Sequence, residues 1–424
     1  MIKKIILFTF LINTIYSFSQ KTSSSPYSFF GIGDQAKIKS VEEIGMGQIG
    51  GALNSEYHLS FTNPASYAGL KWTTYVFSGG SKATTIDDGE NKQTSSAASL
   101  NYIALGIPIR TNQGLAFGLQ LNTAVGYSLL DQRFEDLEGE NTLVETTKLS
   151  GDGGTNRVFL GYGYHFPFNL NLGVETAYIF GGIRNDILNR RLGVQLATKS
   201  ESVSYVKGFS YKLGAQYTHN LKNNLKLKLG VSGTMGNTLK ENGDVYLSTV
   251  ENTEGGGLII DRDTISGYSA RIESPIQSVL SAGIGKDNKW FVGAEYTFRD
   301  GIDFKGGIYD EITNYYYDKS NIFAFGGYYI PKFNSIASYW DRVTYRAGFN
   351  YKNLGLVINE TEIDEYGISF GVSLPLGLRL SNANIGFEFG KRGTNKNDLI
   401  KENYYNFRLS ISLNDKWFKK RKIY

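Results

Sequence analysis

Apolar and polar residues alternate one by one along most of the chain. Leu115, Phe117, Leu119, Leu121, Val125 and Tyr127 share one parity; Ala116, Gly118, Gln120, Asn122, Ala124 and Gly126 share the other. Side chains of a β-strand point to alternate faces, so a period of two predicts strands with one apolar face. The pattern returns at Leu170, Leu172, Val174, Tyr178 and Phe180, and at Leu225, Leu227, Leu229 and Val231. Three more regular stretches follow: Val343 to Tyr351, Tyr366 to Leu374, and Tyr405 to Leu413. Segments 72–79, 96–107, 157–165, 204–219, 278–285, 289–299, 321–330 and 383–391 alternate less strictly. Each strong apolar face is about nine residues long, enough for a tilted strand to cross a bilayer. The opposite faces carry Gly, Asn and Ser rather than the Lys and Glu of a soluble sheet. The expectation is an all-β fold: a transmembrane antiparallel up-and-down β-barrel of about 14 strands, with an N-terminal hatch or plug in its lumen.

Connections differ in length. Residues 166–168 and 220–224 read as short periplasmic turns, and the polar stretches 131–151, 185–201, 240–275 and 391–402 as extracellular loops. The 240–275 stretch contains strand-like runs that extend beyond the membrane. Residues 1–19 read as a signal peptide: Lys3 and Lys4 precede an apolar run, and Ser17-Phe18-Ser19 supplies the cleavage site. Residues 20–70 do not alternate and are too few for a core of their own, so they are expected to fill the lumen. Gly45, Gly47, Gly50 and Gly51 let backbone approach backbone there, and Asn63 before Pro64 and Ala65 favours a turn. The barrel is expected over 71–418, with a basic periplasmic tail at 419–424.

Composition narrows the function. The chain has 50 Gly, 29 Tyr, 26 Phe and only 7 Pro among 424 residues, which suits long strands with aromatic girdles. It has no Cys, so thiol catalysis and Cys-based metal sites are excluded. A formal charge of +4 is too balanced for a nucleic-acid binder. His58, His165 and His219 are scattered without a zinc-binding spacing. No catalytic residues, no metal ligands and no cofactor are expected, and the chain does not read as an enzyme.

Short motifs add a resemblance. The run Gly45-Met46-Gly47, Gly50-Gly51-Ala52 and Asn63-Pro64-Ala65 resembles the opening of the FadL-like superfamily of long-chain fatty-acid outer-membrane transporters. Gly151-Asp152-Gly153-Gly154-Thr155-Asn156, Gly161-Tyr162-Gly163-Tyr164 and the ending Leu413 to Lys420 resemble its Bacteroidetes branch. The opening Ser25-Pro26-Tyr27-Ser28 and Gly31 to Asp34 also resembles Bacteroidetes outer-membrane proteins of unassigned role. One departure is the basic run Lys419 to Lys422, which separates Trp417-Phe418 from the final Tyr424. The resemblance implies a Gram-negative outer-membrane barrel whose N-terminal hatch gates passive transport of hydrophobic, fatty-acid-like molecules. Its partners would be membrane lipids and the ligand. The alternative it implies is a structural barrel serving a larger outer-membrane machine, such as a shuttle or plug subunit of the type IX secretion system. Register places Glu175, Glu295, Arg346, Glu388 and Arg408 on lumenal faces. Arg346 and Arg408 are the expected contacts for a ligand carboxylate, because a guanidinium forks onto it. The blander reading, interior salt bridges that hold the plug, is the favoured one of the two.

Overall fold

In a computed structural model the chain is a wall of fourteen strands around its own N-terminal segment. The structure describes residues 23–137, 140–251, 258–306, 309, 314–377 and 380–416. The expected signal peptide and basic tail lie outside them. Six long strands come first: β1 (Thr73–Asp87), β2 (Lys92–Arg110), β3 (Gln113–Leu137), β4 (Glu140–Phe166), β5 (Leu170–Arg191) and β6 (Leu196–Asn220). Four broken strands follow, each in two pieces: β7 (Lys226–Thr234 and Asn237–Glu251), β8 (Leu258–Ser274 and Gln277–Lys286), β9 (Trp290–Arg299 and Asp303–Lys305) and β10 (Tyr315–Tyr317 and Ser320–Tyr329). The last four are β11 (Thr344–Ile358), β12 (Thr361–Leu376), β13 (Ser381–Arg392) and β14 (Lys401–Asp415). Neighbours pair antiparallel throughout. β14 closes on β1 from Lys401 opposite Asp87 to Asp415 opposite Thr73. That seam removes the two outer edges of the sheet, as hydrocarbon demands of a spanning structure.

The outer face is the predicted apolar one. Phe117, Leu160, Val174, Leu213, Phe325, Phe370 and Leu409 are all exposed on it. Val125 and Tyr127 depart from the expected register: both are buried. A bulge between Leu121 and Thr123 shifts the register against β4, and one extra residue sends every later side chain to the other face. The stretches 131–151 and 185–201 are also largely strand rather than loop, since β3 runs to Leu137, β5 to Arg191, and β6 starts at Leu196. The expected strand-like extension of 240–275 is present in the upper pieces of β7 and β8.

The wall is uneven. β3 to β6 have 25, 27, 22 and 25 residues, whereas β13 has 12. Short turns gather at one end, at Pro167–Asn169 and Lys222–Asn224 among others. By the usual asymmetry of such barrels this turn end is periplasmic and the tall rim extracellular.

The N-terminal segment lines the inner wall. Its one-turn helix Val41–Ile44 opens on a capping box: Glu43 N donates to Ser40 Oγ at 3.2 Å, and Ser40 N donates to the Glu43 carboxylate at 2.7 Å. Wall glycines receive the segment at backbone contact. A Cβ at Gly371 would press on Gly45, at Gly348 on Met46 and Gly47, at Gly230 on Gly51, and at Gly173 on Pro64 and Ala65. The segment thus travels from β12 past β11, β7 and β5 close to the turn end. Gly here serves proximity, because only a residue without a side chain lets two backbones touch. Nearer the rim, Asp34–Gln35 forms a two-residue strand on the free edge of β3, opposite Ala124 and Thr123. β2 leaves that edge above the pairing of Tyr102 with Gln120, so the segment itself fills the split in the wall.

Candidate functional site

The N-terminal segment is held by carboxylates that the wall points inward. Glu295 on β9 accepts from the consecutive amides of Gly50 and Gly51, at 2.9 and 2.8 Å, and pairs with Lys39 at 2.6 Å. Gly47 adopts φ +69°, and its amide donates to Ser369 Oγ at 2.8 Å. Asn63 Nδ2 lies within hydrogen-bond range of the carbonyls of Gly51, Ala215 and Val231, and its Oδ1 accepts from Ala65 N at 3.0 Å. That last contact caps the 3₁₀ turn Pro64–Gly69. Glu175 on β5 pairs with Arg157 and accepts from Tyr67 Oη at 2.8 Å.

A second network stands nearer the rim. Lys37 Nζ lies 2.8 Å from Glu388 and 3.2 Å from Glu365. Glu365 also meets Lys352 at 2.9 Å, Arg392 at 2.6 Å and the Tyr404 hydroxyl at 2.9 Å. Arg392 reaches on to both oxygens of Asp34 at 2.8 Å. Buried ion pairs of this kind need every partner, since removing one strands a charge in a poorly solvated interior. Burial pushes the Asp34 carboxyl up, but Arg392 and Lys82 outweigh it and hold it below its ordinary range. A depressed folded value means the tie is complete above the ordinary pKa of about 3.9 and is lost only as pH falls through the lower one. Amides 34–36 are therefore expected to keep their hydrogen-exchange protection at pH 4. Loss of protection already at pH 5 would contradict the tie.

Between these two layers lies a chamber of about 340 Å³. Ile32, Asp34, Lys37 and Lys39 of the segment face it on one side, and Ile179, Leu239, Ile272, Ile302, Phe304 and Tyr317 on the other. Thr234, Gln277, Arg299 and Ser320 also line it. These four are neighbours across β7 to β10 and flank the breaks at Met235-Gly236, Pro275-Ile276, Asp300 to Ile302 and Asp318-Lys319. The regular strand pairing is therefore interrupted in four adjacent strands at the level of the chamber.

The predicted residues fall as follows. Glu175, Glu295 and Glu388 are buried against the segment, as described above. Arg346 is buried and donates to Ser373 Oγ; Arg408 is buried and donates to the Lys37 carbonyl at 3.5 Å. Neither lines the chamber; Arg408 borders a second cavity of about 90 Å³ beside β1 to β3. Alternation missed Arg299, which is on the chamber wall, 9% exposed, with its Nε unpartnered and Nη1 donating to Gln35 at 2.8 Å. It also missed Glu365, Lys352 and Arg392. Among the described residues no His/Cys/Asp/Glu group suits a metal ion.

A closed fourteen-stranded barrel that holds its own N-terminal segment and a lumenal chamber has the fold of the FadL-like outer-membrane channels. Solved structures bear this out. The Pseudomonas putida toluene transporter TodX is 15% identical over 91% of this chain and all of that one, with a TM-score of 0.58. A Pseudomonas aeruginosa FadL homologue is 12% identical over 89% and 98%, also at 0.58. The Ralstonia pickettii toluene transporter TbuX is 13% identical over 91% and 99%, at 0.56. These identities speak for the fold alone. No curated protein matches the sequence. The model of one family, described as BamG, matches residues 1–424, and the chain belongs to that family.

Proposed function

We propose that the protein carries hydrophobic small molecules passively across the outer membrane, by way of the chamber. The observation that supports this most is the coincidence of the chamber with the four strand breaks. A cavity of this volume is within the ~300–1,000 Å³ range of small-molecule sites. Its aliphatic side suits an apolar body, and the breaks offer a way through the wall. The structural neighbours include transporters of toluene, which fits an apolar cargo. Residues 20–70 act as the hatch in this reading, with Asp34–Gln35 closing the split between β2 and β3. A fatty-acid-like ligand would set its carboxylate on Arg299; Arg408 would serve the smaller cavity, and Arg346 lies away from both.

The test is uptake of a fluorescent fatty acid and of toluene into proteoliposomes. Leu239→Trp should fill the chamber and bring uptake down to that of protein-free vesicles, with the barrel still folded. Unchanged uptake by a folded Leu239→Trp variant sinks the proposal.

A second reading is a barrel that serves an outer-membrane machine, and the family's name hints at assembly. The turn between β10 and β11 favours it. Residues 330–343 form a loop braced by Lys332 N to Asp341 O at 2.7 Å and by Ser335 Oγ to Asp341 at 3.0 Å. It presents Ile336 and Trp340 outward, the former fully exposed. Site-specific photocrosslinking from position 336 in native membranes would identify a stoichiometric protein partner, and crosslinks to lipid only would reject this reading.

A further inference from the structure

Four basic residues stand shoulder to shoulder across the outer wall. Lys207 of β6 is opposite Lys240 of β7, Lys240 is opposite Arg271 of β8, and Arg271 is opposite Lys305 of β9. Their sequence neighbours Val206, Leu239 and Ile272 belong to one buried cluster inside the barrel, with Phe304 packed against it. Alternation therefore turns the four cations outward, where all are exposed.

Such a row costs stability by itself. Directly opposed residues have Cβ atoms about 4.5–5.5 Å apart, and like charges at that spacing repel. Lys305 has acidic company, Glu273 at 2.6 Å and Asp303 at 4.0 Å. For Lys207, Lys240 and Arg271 no carboxylate lies within ion-pair range among the described residues. An arrangement that repels itself calls for an anion from outside.

Its height says which anion. Toward the turn end the next outward positions are Phe209, Thr238, Glu273 and Asp303, and β6 continues with the exposed Tyr211 and Leu213. Toward the rim the neighbouring outward positions are Tyr205, Asn242 and Ser269. At β6 the row thus sits where the apolar band ends on the extracellular side, at the level of lipid head groups. We propose that Lys207, Lys240 and Arg271 bind the phosphate groups of an anionic lipid in the outer leaflet. The Arg271 guanidinium forks onto phosphate, and the two lysines supply point charges beside it. The acyl chains of the same molecule lie along Phe209, Tyr211 and Leu213. This two-part complement along β6, charge above and hydrocarbon below, fits a lipid better than free phosphate.

The experiment is binding of fluorescently labelled, detergent-solubilised full-length protein to phosphorylated lipid A, with dephosphorylated lipid A and inorganic phosphate as comparisons. The triple variant K207Q/K240Q/R271Q should bind phosphorylated lipid A roughly 100-fold more weakly, at about tenfold or less per surface cation. K222Q/K289Q, altered at the turn end, should bind as the parent does. Among the described residues the three side chains have no ion pair or hydrogen bond, so the triple variant should keep the parent's melting temperature. If it does not, K240E alone should show the weakening at unchanged stability. Equal binding by the triple variant or by K240E overturns the proposal. So does equal affinity for the dephosphorylated lipid, or full displacement by millimolar inorganic phosphate.

Discussion

Leucine in place of Gly173 and Gly348 is expected to drive the N-terminal segment off the wall. At Gly173 a Cβ meets the backbone of Pro64 and Ala65, and at Gly348 it meets the backbone of Met46 and Gly47. Neither partner is a flexible side chain that could swing aside. Overpacking in a well-filled core costs about 1–3 kcal/mol per site, and backbone obstruction belongs at the upper end. The double variant should expose Lys37 and Lys39 to trypsin in detergent, where the parent resists. It should also show ion conductance in planar bilayers beyond that of the parent. A double variant as protease-resistant as the parent, with the same melting temperature, would show that the segment does not depend on these contacts.

Glu365→Ala should be the most damaging single change in the rim-side network. Glu365 is fully buried and is the common partner of Lys37, Lys352 and Arg392. Taking one partner from a buried ion pair typically costs about 3–5 kcal/mol, because the other charge is left without compensation. Adding Lys352→Met should recover part of the loss, since one stranded cation goes with it. Thermal unfolding followed by the heat-dependent shift in gel migration would give the four corners of that cycle. Strict additivity of the two substitutions would mean the pair is not coupled in the way the distances imply.

Much of the fold was readable from alternation, because lipid on one face and an enclosed interior on the other give every strand a strong period of two. That signal fades where both faces are wet. The tall parts of β3, β5 and β6 read as loops for this reason: above the membrane, polar residues fall on either parity. The bulge after Leu121 carries no local signature strong enough to override the apolar look of Val125 and Tyr127, so two interior residues were placed in lipid. The strand breaks at Pro275 and Gly301 had a signal in their Pro and Gly, yet only pairing shows that four of them line up.

The site was less legible, for a different reason. Gly45 to Gly51 and Asn63 to Ala65 announce close packing, but nothing local says that Gly50 and Gly51 meet Glu295, some 245 positions away. Glu365 shares the inward parity of Ile363, Gly367 and Ser369, and Arg392 that of Gly390. Extending that parity to the strand ends would have marked them as interior charges; it could not have paired them with one another or with Asp34. Arg299 was hidden by its place at a strand end, beside Asp300.

The segment's contacts with so many separate strands also constrain how the molecule is made. Residues 23–71 touch the inner surface backbone to backbone at several clock positions, as at Gly173, Gly230, Gly348 and Gly371. They are expected to be in place while the β14–β1 seam is still open, with the cylinder wrapped about them as around a mandrel. They are also the first of the described residues to be synthesised. Deleting residues 23–71, unlike displacing them with the two leucines, is therefore expected to lower the yield of closed barrel and not merely unblock a pore.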